Sequence, residues 1–314
     1  MSVNNVYTIG AAAFSHASTS DFNLDGVTDV GVNPEVAQRI LYGAGQHLAT
    51  HVHVHAVTPM INFTTTDLAT ALTNIDPDTG MAIDSGGSAF DLLTMLFTKK
   101  QNLGTRGGDS AHFSVTVNLA LVVLRSVTLE QGGVAKAQIE IHVIYDGTND
   151  PFVYAQTVTL PHVPSIDEAF TLGPFNINGS LVDAFDRVTI NYGNRVNAVF
   201  AGGALYPEHV NIDEHGPTIE LYTKDVGVLD DYGLLGTAIS ASDVVFYAKK
   251  YANESNYVAN GTAEHIKFTL DKGIVVPASA SGMNNVDAEA QLVITPIYDG
   301  TNDPIVMDTA SAIT

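Results

Sequence analysis

The sequence predicts an α+β fold dominated by antiparallel sheet, laid out as two tandem copies of a β-sandwich or open-barrel domain with a flanking helix. Three observations predict it. The octapeptide Ile-Tyr-Asp-Gly-Thr-Asn-Asp-Pro starts at residue 144 and again at residue 297, a displacement of 153. Self-similarity of this kind marks a repeated structural unit. Residues 138–145 (Gln-Ile-Glu-Ile-His-Val-Ile-Tyr) alternate apolar and polar side chains, the period of a half-buried strand. Charged residues make up only 15% of the chain, against 45% hydrophobic, a composition suited to β-rich assemblies.

The 314 residues give room for two domains of about 150 residues each. The first domain is expected over 1–160 and the second over 170–314. The stretch 161–169, with Pro161 and Pro164, is the expected linker. The displacement of 153 holds upstream of the octapeptide, where Ala137-Gln138 matches Ala290-Gln291, Val122-Val123 matches Val275-Val276 and His112 matches His265.

Taken in order, the first copy opens with a strand near residues 6–10. The stretch 22–26 (Phe-Asn-Leu-Asp-Gly) reads as a two-residue hairpin, matched by Phe-Asn-Ile-Asn-Gly at 175–179. Asp21, Asn23, Asp25, Gly26 and Asp29 have the spacing that opens a calcium loop, but the twelfth position is Val32 instead of an acid. The copies drift and rejoin at Val27-Thr28 against Val188-Thr189. They then align at a displacement of 158, His51-Val52 against His209-Val210 and Pro59 against Pro217.

Leu68, Ala71, Leu72 and Ile75 make a helical stripe within residues 62–75. Thr65 or Thr66 is the expected N-cap, with Asp67 in the first turn and Thr223 and Asp225 in the same roles in the second copy. Residues 90–97 suit a buried strand or one more short helix, between loops at 84–88 and 104–109. Long β runs follow over 113–127 and 134–160. Each copy ends in a hairpin whose turn is the octapeptide, with Asp146-Gly147 and Asp299-Gly300 as turn formers. The returning strand of the second copy looks shorter than that of the first.

The chain has 34 acidic and 13 basic residues, a formal charge of −21. This argues against specific nucleic-acid binding and against docking on anionic lipid. The absence of cysteine excludes disulfides and thiolate chemistry. The first residues lack the features of a signal peptide, and no apolar run approaches a membrane span, so a soluble product made in a cytoplasm is expected.

His51, His53 and His55 alternate along one strand face, a geometry that a metal site could use. The plainer reading is a polar row opposite buried Val52 and Val54, and the second copy has His209, Asn211 and Asp213 in those places. No nucleophile elbow, Walker loop or dinucleotide loop occurs. The polar residues kept in both copies are turn formers, a helix-start acid and lone histidines. No catalytic residue and no cofactor is expected, and the chain does not read as an enzyme.

The layout resembles the tail tube proteins of tailed phages. The residues that carry the likeness are 171–179 (Thr-Leu-Gly-Pro-Phe-Asn-Ile-Asn-Gly), 188–193, 217–225 and the final octapeptide segment. The resemblance implies a structural virion protein of two packed sheets with a flanking helix. It also implies self-association as a trimer closing a pseudo-hexameric ring, stacking into a tube beside other virion proteins, with DNA passing through a negative lumen without specific binding. The hairpins bearing Tyr145, Asp146, Gly147, Asn149 and Pro151, and Tyr298, Asp299, Gly300, Asn302 and Pro304, are then the expected assembly elements. A capsid decoration or head–tail connector protein is the alternative in the same class. A metal- or carbohydrate-binding β module is the alternative outside it.

Overall fold

The computed structural model describes residues 7–16, 20–44, 47–84, 90–99, 112–160, 168–182, 184–233, 235–240, 243–253, 255–284 and 286–314. The loop 104–109 and most of the expected linker (161–167) lie outside the described residues, as do 85–88 of the loop at 84–88.

The first half contributes β1 (Tyr7–Ser15), β2 (Phe22–Leu24), β3 (Val27–Asn33), β4 (Val36–Tyr42), β5 (Ala49–Val57), β6 (Met60–Thr65) and α1 (Leu68–Asn74). It continues with β7 (Met81–Ile83), β8 (Leu92–Lys99), β9 (His112–Val117), β10 (Ala120–Glu130), β11 (Lys136–Val143) and β12 (Val153–Val158). The second half contributes β13 (Phe170–Ile177), β14 (Ser180–Leu181), β15 (Phe185–Asn191), β16 (Arg195–Val199), β17 (His209–Glu214), β18 (Thr218–Thr223) and α2 (Val228–Asp231). It ends with β19 (Thr237–Ile239), β20 (Val244–Asn253), β21 (Asn256–Tyr257), β22 (His265–Leu270), β23 (Gly273–Met283), β24 (Val286–Pro296) and β25 (Val306–Ser311). Among the described residues the fold is therefore mainly antiparallel β with two short helices, as the alternating pattern predicts. Among the described residues no helix is long and apolar enough to cross a membrane.

The halves trace corresponding paths. A five-stranded sheet in the order β2-β1-β8-β9-β12 has its counterpart in β14-β13-β20-β22-β25. The run β3-β6-β11-β10 has its counterpart in β15-β18-β24-β23. Bulges recur at matching places, between Val27 and Asp29 on β3 and between Phe185 and Arg187 on β15. They recur again between Leu124 and Ser126 and between Pro277 and Ser279. A bulge re-aims a strand at a fixed point, so the matched bulges give both halves the same local bends.

The two runs are joined. β10 pairs antiparallel with β15, so one sheet continues from β3 in the first half to β23 in the second. Val127 and Leu129 of β10 lie opposite Ile190 and Val188 of β15, and all four are fully buried. The buried faces of the sheets share one apolar cluster that draws on both halves, and α1 packs against β2, β11 and β25. In the second half Phe246 sits between Phe175 and Phe268, ring centroids 4.8 Å apart on each side. The boundary near residue 160 is therefore no gap between separate cores.

Several expectations are corrected. The octapeptides do not turn hairpins. β11 already has β10 and β6 on its two edges, and β24 has β23 and β18, so neither has an edge for a returning strand. The chain instead crosses to the other sheet, where β12 pairs with β9 and β25 with β22. The second returning strand is not shortened, since β12 and β25 each have six residues.

The match of 22–26 to 175–179 is local likeness only. Asn178 and Gly179, at φ 52° and 74°, make the two-residue turn between β13 and β14. Asp25-Gly26 carries the chain between sheets, from β2 to β3. By position in the sheet, Val27 corresponds to Phe185 and not to Val188.

The stripe at Leu68, Ala71 and Leu72 is buried on α1 as expected, but neither Thr65 nor Thr66 is its N-cap. That position belongs to Asp67, whose carboxyl is pushed up by burial. Thr65 Oγ1 instead ties the end of β6, donating to Asp25 O and accepting from Asp67 N–H. Thr223 does the same, donating to Ala184 O and accepting from Asp225 N–H. Residues 92–99 are strand β8, not a helix.

Candidate assembly surface

Each octapeptide is a built corner. Asp146 Oδ1 accepts the N–H groups of Thr148 (2.8 Å) and Asn149 (2.7 Å), and Oδ2 accepts Asn149 Nδ2 at 2.7 Å. Asp299 makes the same three bonds to Thr301 and Asn302, at 2.7, 2.7 and 3.1 Å. Gly147 and Gly300 hold φ of 83° and 103°, a conformation that costs glycine little. The side-chain and backbone N–H donors of Asn149 hold the Asp146 carboxyl below its usual range, and the backbone donors of Asn302 and Thr301 do the same for Asp299. The polar atoms repeated in the two octapeptides are taken up by turn chemistry, as the sequence reading has it.

The corners differ in what they touch. Tyr145 N–H donates to Pro207 O at 3.3 Å, and the Tyr145 ring lies 5.4 Å from that of Tyr206, in the loop between β16 and β17. Val57 N–H also donates to Leu205 O in that loop, at 2.8 Å. Asp150, Pro151, Phe152, Val57, Leu205 and Tyr206 line a groove of about 460 Å³ here. The second corner leaves Ile297 46% and Tyr298 58% exposed.

Two hairpins stand apart from the main sheets, β4 with β5 and β16 with β17. The first exposes Ile40, Tyr42, Leu48, Val52 and Val54, with Leu48 79% exposed. Val52 and Val54 are thus not buried opposite the histidines, because among the described residues no other strand or helix packs extensively on this hairpin. The rings of His51, His53 and His55 follow one another at centroid distances of 5.7 and 6.4 Å, tilted by 34° and 68°. They form a row along the strand and do not converge on a point. Among the described residues no group of three or more His, Asp or Glu is placed to hold a metal ion.

Sequence reasoning missed the junction between the halves. Its signal was the alternation of Val127 and Leu129 facing that of Val188 and Ile190. Polar groups clamp it as well. Asn194, only 3% exposed, donates from Nδ2 to Pro77 O (2.8 Å) and Leu124 O (3.2 Å), and its Oδ1 lies 2.6 Å from His215 Nδ1. Arg125 donates to Asn194 O and also pairs with Glu140. Asn194→Ala is expected to cost about 1–3 kcal/mol, because it strips partners from buried groups in both halves. Urea unfolding with an unchanged m-value measures it, and a loss below about 0.5 kcal/mol would contradict the clamp.

Burial raises the Glu140 carboxyl, but His142 and Arg125 outweigh burial and hold it below its ordinary value. A depressed carboxyl contributes stability that is complete above its unfolded-state value and is lost as pH falls through the folded one. Glu140→Gln is therefore expected to destabilise at pH 7 and to make no difference in strong acid. Unfolding midpoints across pH 2–7 check this, and a pH-independent difference would contradict it.

On the face of the long sheet opposite the core, Glu140, Glu220, Glu289 and Asp29 stand with Arg125, Arg187 and Lys136 among Thr, Asn and Gln side chains. The outer edges of this sheet are β3 at one end and, at the other, the stretch 279–282 of β23, beyond the part that β19 covers. Compared with protein-family models and with curated proteins, the chain matches none.

Proposed function

We propose that the chain is a structural virion subunit without catalytic chemistry, a tail tube protein of a tailed phage built from two copies of one assembly domain. The observation that carries this reading is the β10–β15 junction. Through it one half joins the next by adding strand to strand, while among the described residues no strand pairs with the outer side of β3 or with the stretch 279–282 of β23. Repeated from chain to chain, the same head-to-tail step is heterologous and closes a ring if the rotation closes.

Eight strands per chain lie between those edges, so the three chains of a pseudo-hexameric ring supply 24. A 24-stranded barrel is about 37 Å across at the backbone before strand tilt widens it, room for duplex DNA to pass. The lumen would be the face opposite the core, polar and acidic by a modest margin, so that DNA is not retained. Stacking of rings falls to the projecting β4–β5 and β16–β17 hairpins, whose exposed apolar side chains need cover. The purified protein is expected to sediment as trimers and larger multiples of trimers. A monomer at every concentration, by analytical ultracentrifugation, would overturn the reading.

A further inference from the structure

We infer that the partner of the vacant β23 edge is the β3 edge of a second copy of this chain, paired in the register that the chain uses at its own β10–β15 junction. The inference rests on the ring reading above and specifies its interface. At the internal junction Ser126 lies opposite Asn191, Val127 opposite Ile190, Thr128 opposite Thr189 and Leu129 opposite Val188. The β10–β11 and β23–β24 pairings superpose at a displacement of 153, including the bulge, which takes residues 126–129 of β10 to 279–282 of β23. The β3–β6 and β15–β18 pairings superpose at 158, which takes residues 188–191 of β15 to 30–33 of β3. The register between copies is then Ser279 opposite Asn33, Ala280 opposite Val32, Ser281 opposite Gly31 and Gly282 opposite Val30.

Burial supports it independently. Val188 and Ile190 are fully buried at the internal junction, while Val30 and Val32 are only half-buried and residues 279–282 are exposed. Residues 30–33 and 279–282 themselves carry none of the lysines or prolines with which proteins protect a sheet edge, and Pro34 and Pro277 lie just outside them. A strand edge recognises another strand through its main-chain groups, and the facing side chains set the register.

A second contact follows the same rule. The first octapeptide corner meets Tyr206, whose counterpart at the displacement of 158 is Leu48. The second corner's Tyr298 and the neighbour's Leu48 are both exposed, at 58% and 79%, and the joint brings them together.

The chain has no cysteine, so introduced thiols report alone. Single variants Asn33→Cys and Ser279→Cys, both at exposed positions, are mixed and oxidised, and the products are resolved on a non-reducing gel. The expected result is a disulfide-linked dimer from the mixture only, formed on the order of tenfold faster than from Asn33→Cys with Ala280→Cys, whose side chains leave the sheet on opposite faces. The double variant Asn33→Cys with Ser279→Cys is expected to give covalent trimers. Dimers from Ser279→Cys alone would show β23 pairing with itself and overturn the inference. No cross-link from the mixture, while microscopy shows rings, would overturn this register and leave the ring reading standing. No cross-link and no self-association would overturn both.

Discussion

Replacing Phe246 by alanine is expected to destabilise the whole molecule by about 3–5 kcal/mol, the range for removing a fully buried ring. Phe246 is 0% exposed and sits at the centre of a three-ring stack with Phe175 and Phe268. The cavity it leaves cannot collapse readily, because both neighbours are held in strands of the same sheet. Since one apolar cluster and one continuous sheet draw on both halves, the loss is expected to move a single unfolding transition down by roughly 5–10 °C. Calorimetry decides the point. Two transitions in the parent protein, with only one moved by Phe246→Ala, would show that the halves fold apart.

Ala280→Lys is expected to leave folding untouched and to weaken self-association about a hundredfold. Ala280 is exposed in the single chain, and in the inferred joint it faces Val32 on the core side of the sheet. An inward-pointing charge on an edge is a device proteins use against strand addition. Enclosing an unpaired lysine there costs roughly 3 kcal/mol, about a hundredfold in association constant. Sedimentation velocity of variant and parent at equal concentration measures it. Assembly equal to that of the parent would place the contact between chains elsewhere.

Much of the fold was legible in the sequence, and the failures share a cause. Alternation in residues 138–145 identified β11 and its buried face, because period two depends only on the strand's own pleat. The octapeptide identified a tight Asx-held turn for the same local reason. Whether that turn closes a hairpin is not local. It depends on β11 having both edges occupied by β6 and β10, which lie far from it in sequence or on its other side.

Likewise, alternation placed His51, His53 and His55 on one face correctly, but burial of Val52 and Val54 required a layer that, among the described residues, the projecting hairpin lacks. Phe22 and Phe175 were paired by letter identity at the displacement of 153, while the matched bulges at Val27 and Phe185 mark the true correspondence. The assembly surface was the least legible part. The edges of β3 and β23 become recognisable only when β10 and β15 are seen paired, since nothing in Ser-Ala-Ser-Gly or Val-Gly-Val-Asn announces a binding strand.

The central claim, that this chain repeats its internal junction between copies to make a ring, is tested most directly by negative-stain electron microscopy of the purified protein over a concentration series. The account predicts rings with a central bore at low concentration, and stacked tubes of the same diameter as concentration rises. Discrete particles without a bore at every concentration would contradict it.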